Sequence, residues 1–268
     1  MNNSTVDRNK KNLGVTAIAV AAVIILIQFI DSYCTEIFGR TQSLSVTTFL
    51  IDARGMSADE GVAYMSRMML PFYLIGMLTP FVRSYADIVG RKVMLFINVA
   101  LLVVGSVICM LADSLIIYLL GNGILILGYS LDIHMIYIVD MLPANRRATV
   151  RGICGGTAMA AAMCIPLMRS WIANRSGYSW QDIYIVGIVG GVGILVCMGI
   201  YVALRAAAGH SRSSETSSQY DISNEIFTKD GKIHFIHTLK ELCKQNRTKA
   251  LLISICVVGL ATAGIQYY

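Results

Sequence analysis

Six long apolar runs dominate this sequence, and each is close to the roughly 20 residues that a helix needs to cross a bilayer. The runs cover residues 13–30, 62–82, 93–112, 114–139, 152–171 and 183–204, and a seventh covers 250–268. Hydrophobic residues make up 56% of the 268 residues and charged residues only 14%, which is too apolar for an ordinary soluble domain. The sequence therefore predicts an all-α membrane protein with several spans.

Lysine and arginine are unevenly divided between the two alternating sets of gaps. The amino terminus, the gap at 83–92 and the gap at 146–151 hold three each, and the stretch 205–249 holds eight. The intervening gaps and the run ends beside them hold five, namely Arg40, Arg54, Arg67, Arg169 and Arg175. Because cytoplasmic loops are rich in these cations, seventeen against five predicts a cytoplasmic amino terminus. The cations responsible for the net charge of +6 lie mostly in these gaps. The sequence lacks a basic face interleaved with aromatic residues, which is the pattern that would indicate nucleic-acid binding.

The sequence contains no motif for an enzyme, a metal site or a cofactor. The seven cysteines include no C-x-x-C pair and no cluster with histidine at zinc spacing, and most lie inside apolar runs. G-x-S-x-G and H-E-x-x-H are absent. Gly191-Val-Gly193 lies within an apolar run without a preceding strand, so it does not predict a nucleotide-binding loop.

A short cationic segment between the second and third runs carries the most specific motif, Arg83-Ser-Tyr-Ala-Asp87-Ile-Val-Gly90-Arg91-Lys92. It resembles the loop between helices 2 and 3 of the major facilitator superfamily, which reads G-x-x-x-D-x-x-G-R-[K/R]. The matching residues are Asp87, Gly90, Arg91 and Lys92. Arg83 stands where the family has its first glycine. The resemblance implies a six-helix bundle built as a 3+3 inverted repeat.

The same resemblance implies a division of the chain and a cytoplasmic gate. The division is an amino terminus (1–12), a six-span half (13–204), a linker with an amphipathic surface helix (205–249) and the start of a seventh span (250–268). After the fourth run, Asp140, Pro143 and Arg147 fit a facilitator pattern of an acidic residue followed by P-x-x-x-R. With the 83–92 loop they would form a charge cluster that holds the inner side shut in one state. The alternative is that they set only topology and turn geometry.

A polar stripe on the fourth run consists of Asn122, Tyr129, Asp132 and Asp140, which stay near one face of a helix. Asp132 lies about 12 Å from Asp140 along a continuous helix, within the inner half of the membrane. An ionisable group at that depth should face the bundle interior or water, so Asp132 is a candidate for substrate passage or proton coupling. His134 is a second candidate, but an unbroken helix turns it to a different face from Asp132. For both residues a structural role is the alternative.

A shorter polar stripe on the first run contains Gln28, Asp31 and Thr35. Asp31 lies about 30 Å along a helix from Lys11, which places it close to the outer boundary. The stripe either lines an outward-facing cavity or is a hydrated helix end. The long stretch between Asp31 and Gly61 is likewise either an interfacial turn or an extension of the first helix.

Small residues recur at four-residue intervals on the fifth and sixth runs. They are Gly152, Gly156, Ala160, Gly187 and Gly191. This spacing lets helix backbones approach closely in lipid and predicts packing surfaces.

These features, with the resemblance, predict secondary transport of a small solute by alternating access. The expected partners are the lipid bilayer, a small-molecule substrate and a coupling proton or other ion, in the cell membrane. The alternatives are a non-transporting half protein and a membrane-embedded enzyme that uses Asp132 and His134 as acid and base. Because facilitator sites lie between two six-span halves, we expect an incomplete transporter that is prone to self-association.

Overall fold

A computed structural model gives the fold and describes the backbone of residues 3–83, 86–142 and 144–207. Side chains are described for residues 21–203 except positions 80, 81, 84, 85, 87, 88, 140, 141 and 143. The chain divides after Val202, and the helical bundle belongs to the first of the two units. Most of the predicted linker and all of the predicted seventh span lie outside the described residues.

Every regular element in the described ranges is a helix. In chain order these are α1 (Asn3–Val46), a π-helical turn (Thr47–Ile51), α2 (Asp52–Arg54), α3 (Ala58–Gly76), α4 (Thr79–Arg83), α5 (Ala86–Val89), α6 (Arg91–Met110), α7 (Leu115–Leu131), α8 (Ile133–Met141), α9 (Ala144–Ala173), a 3-10 turn (Trp180–Tyr184) and α10 (Ile185–Ala207). Five stretches have the length and composition of a membrane span, namely Ala21–Arg54, Arg91–Met110, Leu115–Val139, Ala144–Ala173 and Trp180–Ala203. The prediction of an all-helical membrane fold is confirmed for this part of the chain.

Two predicted continuous spans are interrupted. The run at 62–82 forms α3 and α4, and the run at 114–139 forms α7 and α8 with Asp132 between them. Asp132 has φ 48° and ψ 36°, the left-handed conformation that L-residues other than asparagine and aspartate rarely adopt. The two breaks adjoin, because the Thr79 hydroxyl lies 2.6 Å from the Gly76 carbonyl oxygen and 3.1 Å from that of Ser130.

The stretch between Asp31 and Gly61 is an extension of the first helix, which is one of the two predicted alternatives. α1 passes through the π-helical turn into α2, and Gly55 ends the extension with φ 67°. Ser57 then begins α3 with a capping box. Its hydroxyl accepts from the Glu60 backbone N–H (3.4 Å), and the Glu60 carboxylate accepts from the Ser57 backbone N–H (3.2 Å).

The first helix lies at the centre of the packing. α1 contacts α7, α8 and α9, and it buries Ile27, Tyr33 and Ile37 completely. The Tyr33 hydroxyl donates to the Ile183 carbonyl at 2.8 Å, which connects α1 to the 3-10 turn before α10. The large apolar side chains on the outer faces of α9 and α10 are exposed, and they include Met159, Met163, Leu167, Val196 and Ile200. Continuous apolar surface of this kind suits contact with lipid.

One end of the bundle is closed by contacts between three connections. The Trp180 ring packs edge-on against the Tyr118 ring, with centroids 5.6 Å apart. Its indole N–H donates to the Thr48 hydroxyl at 3.0 Å. The side-chain amide of Gln181 donates to the Ala112 carbonyl at 2.6 Å. The connections after α1, α6 and α9 therefore lie at the same end of the bundle.

Candidate functional site

Polar side chains from four parts of the bundle meet near the break in the fourth span. The contributing residues are Gln28, Asp31 and Ser32 on α1, Arg83 on α4, Asn98 on α6, and Ser130, Asp132 and His134 around the α7–α8 junction. Asn98 and His134 are fully buried, and Asp31 is only 7% exposed. Buried polar and ionisable groups inside a membrane bundle are expensive unless they are paired, so their arrangement determines what the site can do.

The break at Asp132 brings its carboxylate against two partners. The Oδ2 atom lies 3.5 Å from Arg83 Nη2, and Oδ1 lies 3.5 Å from His134 Nε2. The prediction that Asp132 and His134 point to different faces is wrong. It assumed an unbroken helix, whereas the left-handed backbone at Asp132 turns the chain and brings the two side chains together.

A hydrogen bond from His134 to the first helix determines which ring nitrogen of His134 carries the hydrogen. The Gln28 amide nitrogen donates to the Ser32 hydroxyl at 2.7 Å, so its amide oxygen faces His134 Nε2 at 2.9 Å. An amide oxygen only accepts, so Nε2 carries the hydrogen. The other ring nitrogen, Nδ1, is buried and has no hydrogen-bond partner among the described residues. This is the arrangement of a neutral imidazole with an unused proton-accepting nitrogen.

The backbone groups freed by the break are satisfied from neighbouring helices. Breaking a helix leaves carbonyl and N–H groups without their usual partners. The Ser130 carbonyl accepts from Arg83 Nη2 at 3.2 Å, and the Ile133 backbone N–H donates to Asn98 Oδ1 at 3.4 Å. Arg83 thus both satisfies the broken helix and supplies the positive charge that faces Asp132.

Asp31 is buried in the interior of α1, so the predicted alternative of a hydrated helix end is wrong, and its depth in the membrane stays a prediction. The α1 helix extends to Val46 and, through the π-helical turn, beyond, so Asp31 is an interior residue. Its Oδ1 atom is buried and accepts no hydrogen bond from the described residues, and the amide nitrogen of Asn98 is also unpaired there. Gln28, one turn earlier on the same face of α1, contacts His134, so Asp31 lies beside the α7–α8 junction.

The predicted stripe on the fourth span divides between two separate networks. Asn122 is 2% exposed and joins a tyrosine pair: its amide donates to the Tyr118 carbonyl (2.9 Å), and its oxygen accepts from the Tyr184 hydroxyl (3.4 Å). The two tyrosine hydroxyls lie 3.1 Å apart. Ten residues separate Asn122 from Asp132, about 15 Å along the helix, so Asn122 belongs to the Trp180 end of the bundle. Tyr129 is half-buried between the two networks.

The predicted gate residues are described only in part. Gly90 has φ 101° and precedes α6, whose first residues are Arg91 and Lys92. The backbone of Asp87 lies in α5. Its side chain, the side chain of Asp140 and the whole of Pro143 are outside the described residues. Arg147 Nε donates to the Leu142 carbonyl at 2.9 Å, just beyond the end of α8. The charge cluster itself stays a prediction.

The predicted packing glycines behave differently on the last two long helices. A Cβ at Gly187 would lie 2.6 Å from Ser106 Oγ, and one at Gly191 would meet the Val103 side chain, so α10 packs closely on α6 at both positions. Gly152 and Gly156 on α9 have nothing within 4 Å of such a Cβ. Ala160, on the same helix, is exposed.

The apolar helical bundle with a buried polar interior defines an integral, multi-pass membrane protein. The model of the Major Facilitator Superfamily matches residues 15–268, and the chain belongs to this family of transporters. The family assignment agrees with the motif around Asp87 and Gly90.

The relatives include curated transporters and a solved structure. The efflux pump FUS6 of Gibberella fujikuroi is 27% identical over 176 residues, which is 60% of this chain and 31% of that protein. The multidrug resistance protein MdtL of Shigella dysenteriae is 24% identical over 188 residues, 68% of this chain and 48% of that protein. The xylose transporter XylE of E. coli, in an inward open conformation, shares the fold with a TM-score of 0.57 at 14% identity.

The chain matches only part of each of these proteins. It spans less than half the length of the two curated relatives, and the fold match covers 73% of this chain and 53% of the XylE chain. The similarity therefore does not by itself assign the activities of these whole proteins to this chain.

Proposed function

We propose that this protein moves a small organic solute across the membrane by alternating access, along a pathway bordered by α1 and the α7–α8 junction. The observation that carries the proposal is the buried cluster around Asp31, Asp132 and His134, because ionisable groups inside a membrane bundle mark solute or proton pathways. The relatives comprise an efflux pump, a multidrug resistance protein and a xylose transporter, which supports a small organic molecule as the substrate class.

We further propose that protons drive accumulation through this cluster. The Asp132 side chain is 37% exposed and contacts the buried His134, so it borders both the protein interior and the surface of the bundle. Purified protein in proteoliposomes, with an imposed pH gradient and a panel of labelled sugars and organic cations, tests the proposal. We expect Asp132→Asn to abolish accumulation driven by the gradient and to leave downhill exchange measurable. The exposed acid Asp52 provides the matched control, Asp52→Asn, which should accumulate like the wild type.

A second six-span unit is proposed to complete the pathway, supplied in the same polypeptide or by another copy. Facilitator pathways lie between two such halves, and this chain spans 31% and 48% of two relatives. Uptake measured together with particle size tests this point. Saturable uptake by a monomer of these 268 residues would contradict the proposal, and the absence of uptake by any assembly would favour a non-transporting role.

The loop at Asp87–Arg91 is proposed to control the conformational equilibrium rather than substrate affinity. It lies between α4 and α6 at one membrane face, whereas facilitator substrates bind near the midplane. We expect Asp87→Asn to change the transport rate several-fold and to leave the substrate Kd within about twofold, because a gate acts on state populations. Equilibrium binding and initial rates measure the two quantities, and an unchanged rate would exclude a gating role for Asp87.

A further inference from the structure

Two carboxyl groups and one guanidinium meet in the buried cluster. Arg83 lies 3.5 Å from Asp132, and Asp31 lies one turn after Gln28, whose amide contacts the same His134 that contacts Asp132. His134 is neutral in the hydrogen-bond pattern set by Gln28. With both carboxyls ionised, the cluster would therefore carry one uncompensated negative charge in apolar surroundings. Such a charge is strongly disfavoured, and a single bound proton removes it.

The two carboxyl groups differ in their ability to stay ionised. Asp132 faces the Arg83 guanidinium, which favours its charged form, and it is less deeply buried than Asp31. Asp31 is 7% exposed, and its buried Oδ1 atom accepts no hydrogen bond from the described residues. The neutral form therefore suits Asp31, and the charged form suits Asp132.

The other groups around the pair do not supply a second full positive charge. By element they are Cys34 on α1, Asn98 on α6, Tyr129 on α7, His134 on α8, and Cys154 and Arg151 on α9. Arg151 acts on Asp132 but is exposed, so solvent screens its charge. Within the described part of the chain, no three histidine, cysteine, aspartate or glutamate side chains are arranged to hold a metal ion. A proton, which needs no cavity, fits the site.

We infer that Asp31 and Asp132 hold one proton between them, that it resides on Asp31 in this conformation, and that Arg83 sets the number at one by keeping Asp132 ionised. This inference rests on the proposed function and names the groups that carry its coupling proton. The proton passes from Asp31 to Asp132 when the Arg83 side chain shifts its pairing from Asp132 to Asp31. Each carboxyl is then protonated when the other is paired, which links proton binding to movement of α4 against the broken fourth span.

Infrared spectroscopy of the purified protein at neutral pH tests the inference without a substrate, because a protonated carboxyl has its own C=O band. Relative to wild type, we expect Asp31→Asn to lose the band. Asp132→Asn should lose it too, since the freed Arg83 then pairs with Asp31. Arg83→Gln should bind a second proton, visible as a doubled carboxyl band or as an added imidazolium signal from His134. Arg83→Lys, which keeps the charge, should retain one band, and Asp52→Asn should leave it unchanged.

Two double variants identify the carrier. In Asp132→Asn/Arg83→Gln only Asp31 remains to be protonated, and in Asp31→Asn/Arg83→Gln only Asp132 remains. The wild-type band should match the frequency of the first. A match to the second, an unchanged band in Asp31→Asn, or no added proton in Arg83→Gln would each overturn the inference. Thermal unfolding confirms that each variant is folded. Absence of solute uptake would contradict the proposed function but would leave these bands as they are.

Discussion

The turn before α6 requires glycine at position 90 because of its backbone conformation. It has φ 101° and ψ 126° directly before α6, a conformation that side chains bearing a Cβ rarely adopt. Placing such a residue in a sparsely populated backbone region costs about 1–3 kcal/mol. We expect Gly90→Ala to lower the free energy of unfolding by that amount, measured by thermal unfolding in detergent.

Gly152 provides the matched control for this prediction. It lies inside α9, and a Cβ at this position would meet nothing within 4 Å. Alanine is better than glycine in a helix interior by about 1 kcal/mol, so Gly152→Ala should be neutral or stabilising. If the unfolding temperature of Gly90→Ala equalled or exceeded that of the wild type, the positive φ at this turn would not require glycine.

The role of Arg83 could not be predicted from the sequence. Counting charges gives every arginine in a gap the same weight, and the family pattern has glycine at this position. Its partner Ser130 lies 47 residues further along the chain, so only the folded bundle brings them together. His134 stays a candidate, and its contact with Asp132 depends on a break that no proline or glycine signals.

At the scale of helices, the break at Asp132 can be tested by comparing glycine and alanine at this position. The break predicts that glycine is the more stable of the two, which is the reverse of their order in a helix interior. Asp132→Gly and Asp132→Ala both remove the carboxylate, and they differ in how well they accept φ 48°. Alanine pays about 1–2 kcal/mol for the left-handed conformation, whereas glycine adopts it readily. We expect the glycine variant to be more stable than the alanine variant by about 1 kcal/mol, as measured by thermal unfolding.

The outcome is diagnostic because an unbroken helix predicts the opposite sign. In a helix interior alanine is more stable than glycine by about 1 kcal/mol. A more stable alanine variant would therefore mean that α7 and α8 form one continuous helix in the membrane. Asp132→Asn serves as the reference that keeps the shape of the side chain, since asparagine also accepts the left-handed conformation.

Among the described residues, five of the six apolar runs overlap stretches that could span a membrane, and the run at 62–82 does not. The runs do not predict the interruptions, for a physical reason. Crossing lipid requires about 20 apolar residues whatever the tertiary structure, so run length alone indicates a span. A break inside a span depends on whether other helices satisfy the freed backbone groups. Here Thr79 and Arg83 bind the Ser130 carbonyl, and Asn98 binds the Ile133 N–H. Those partners come from α4 and α6, far from the break in sequence.

For the whole molecule, the two ends of the bundle differ in both contacts and charge. At one end Trp180 contacts Thr48, and Gln181 contacts Ala112, which joins three connections. At the other end lie Arg83 and the α5–α6 turn at Gly90. The gaps at this second end and the amino terminus carry most of the lysine and arginine, so we propose that this end faces the cytoplasm.

Single-cysteine labelling tests this orientation with two exposed positions at opposite ends, Asp52 on α2 and Asn145 at the start of α9. A membrane-impermeant maleimide added to intact cells should label Asp52→Cys, and it should label Asn145→Cys only after permeabilisation. A variant without the seven native cysteines serves as the background and the blank, because Cys197 is exposed and Cys164 is partly exposed in the native chain. The reverse pattern would place the Arg83 end outside. The excess of positive charge would then not set the topology, since charge bias acts through retention on the cytoplasmic side. Labelling of both positions in sealed cells would indicate mixed insertion and would contradict a single orientation.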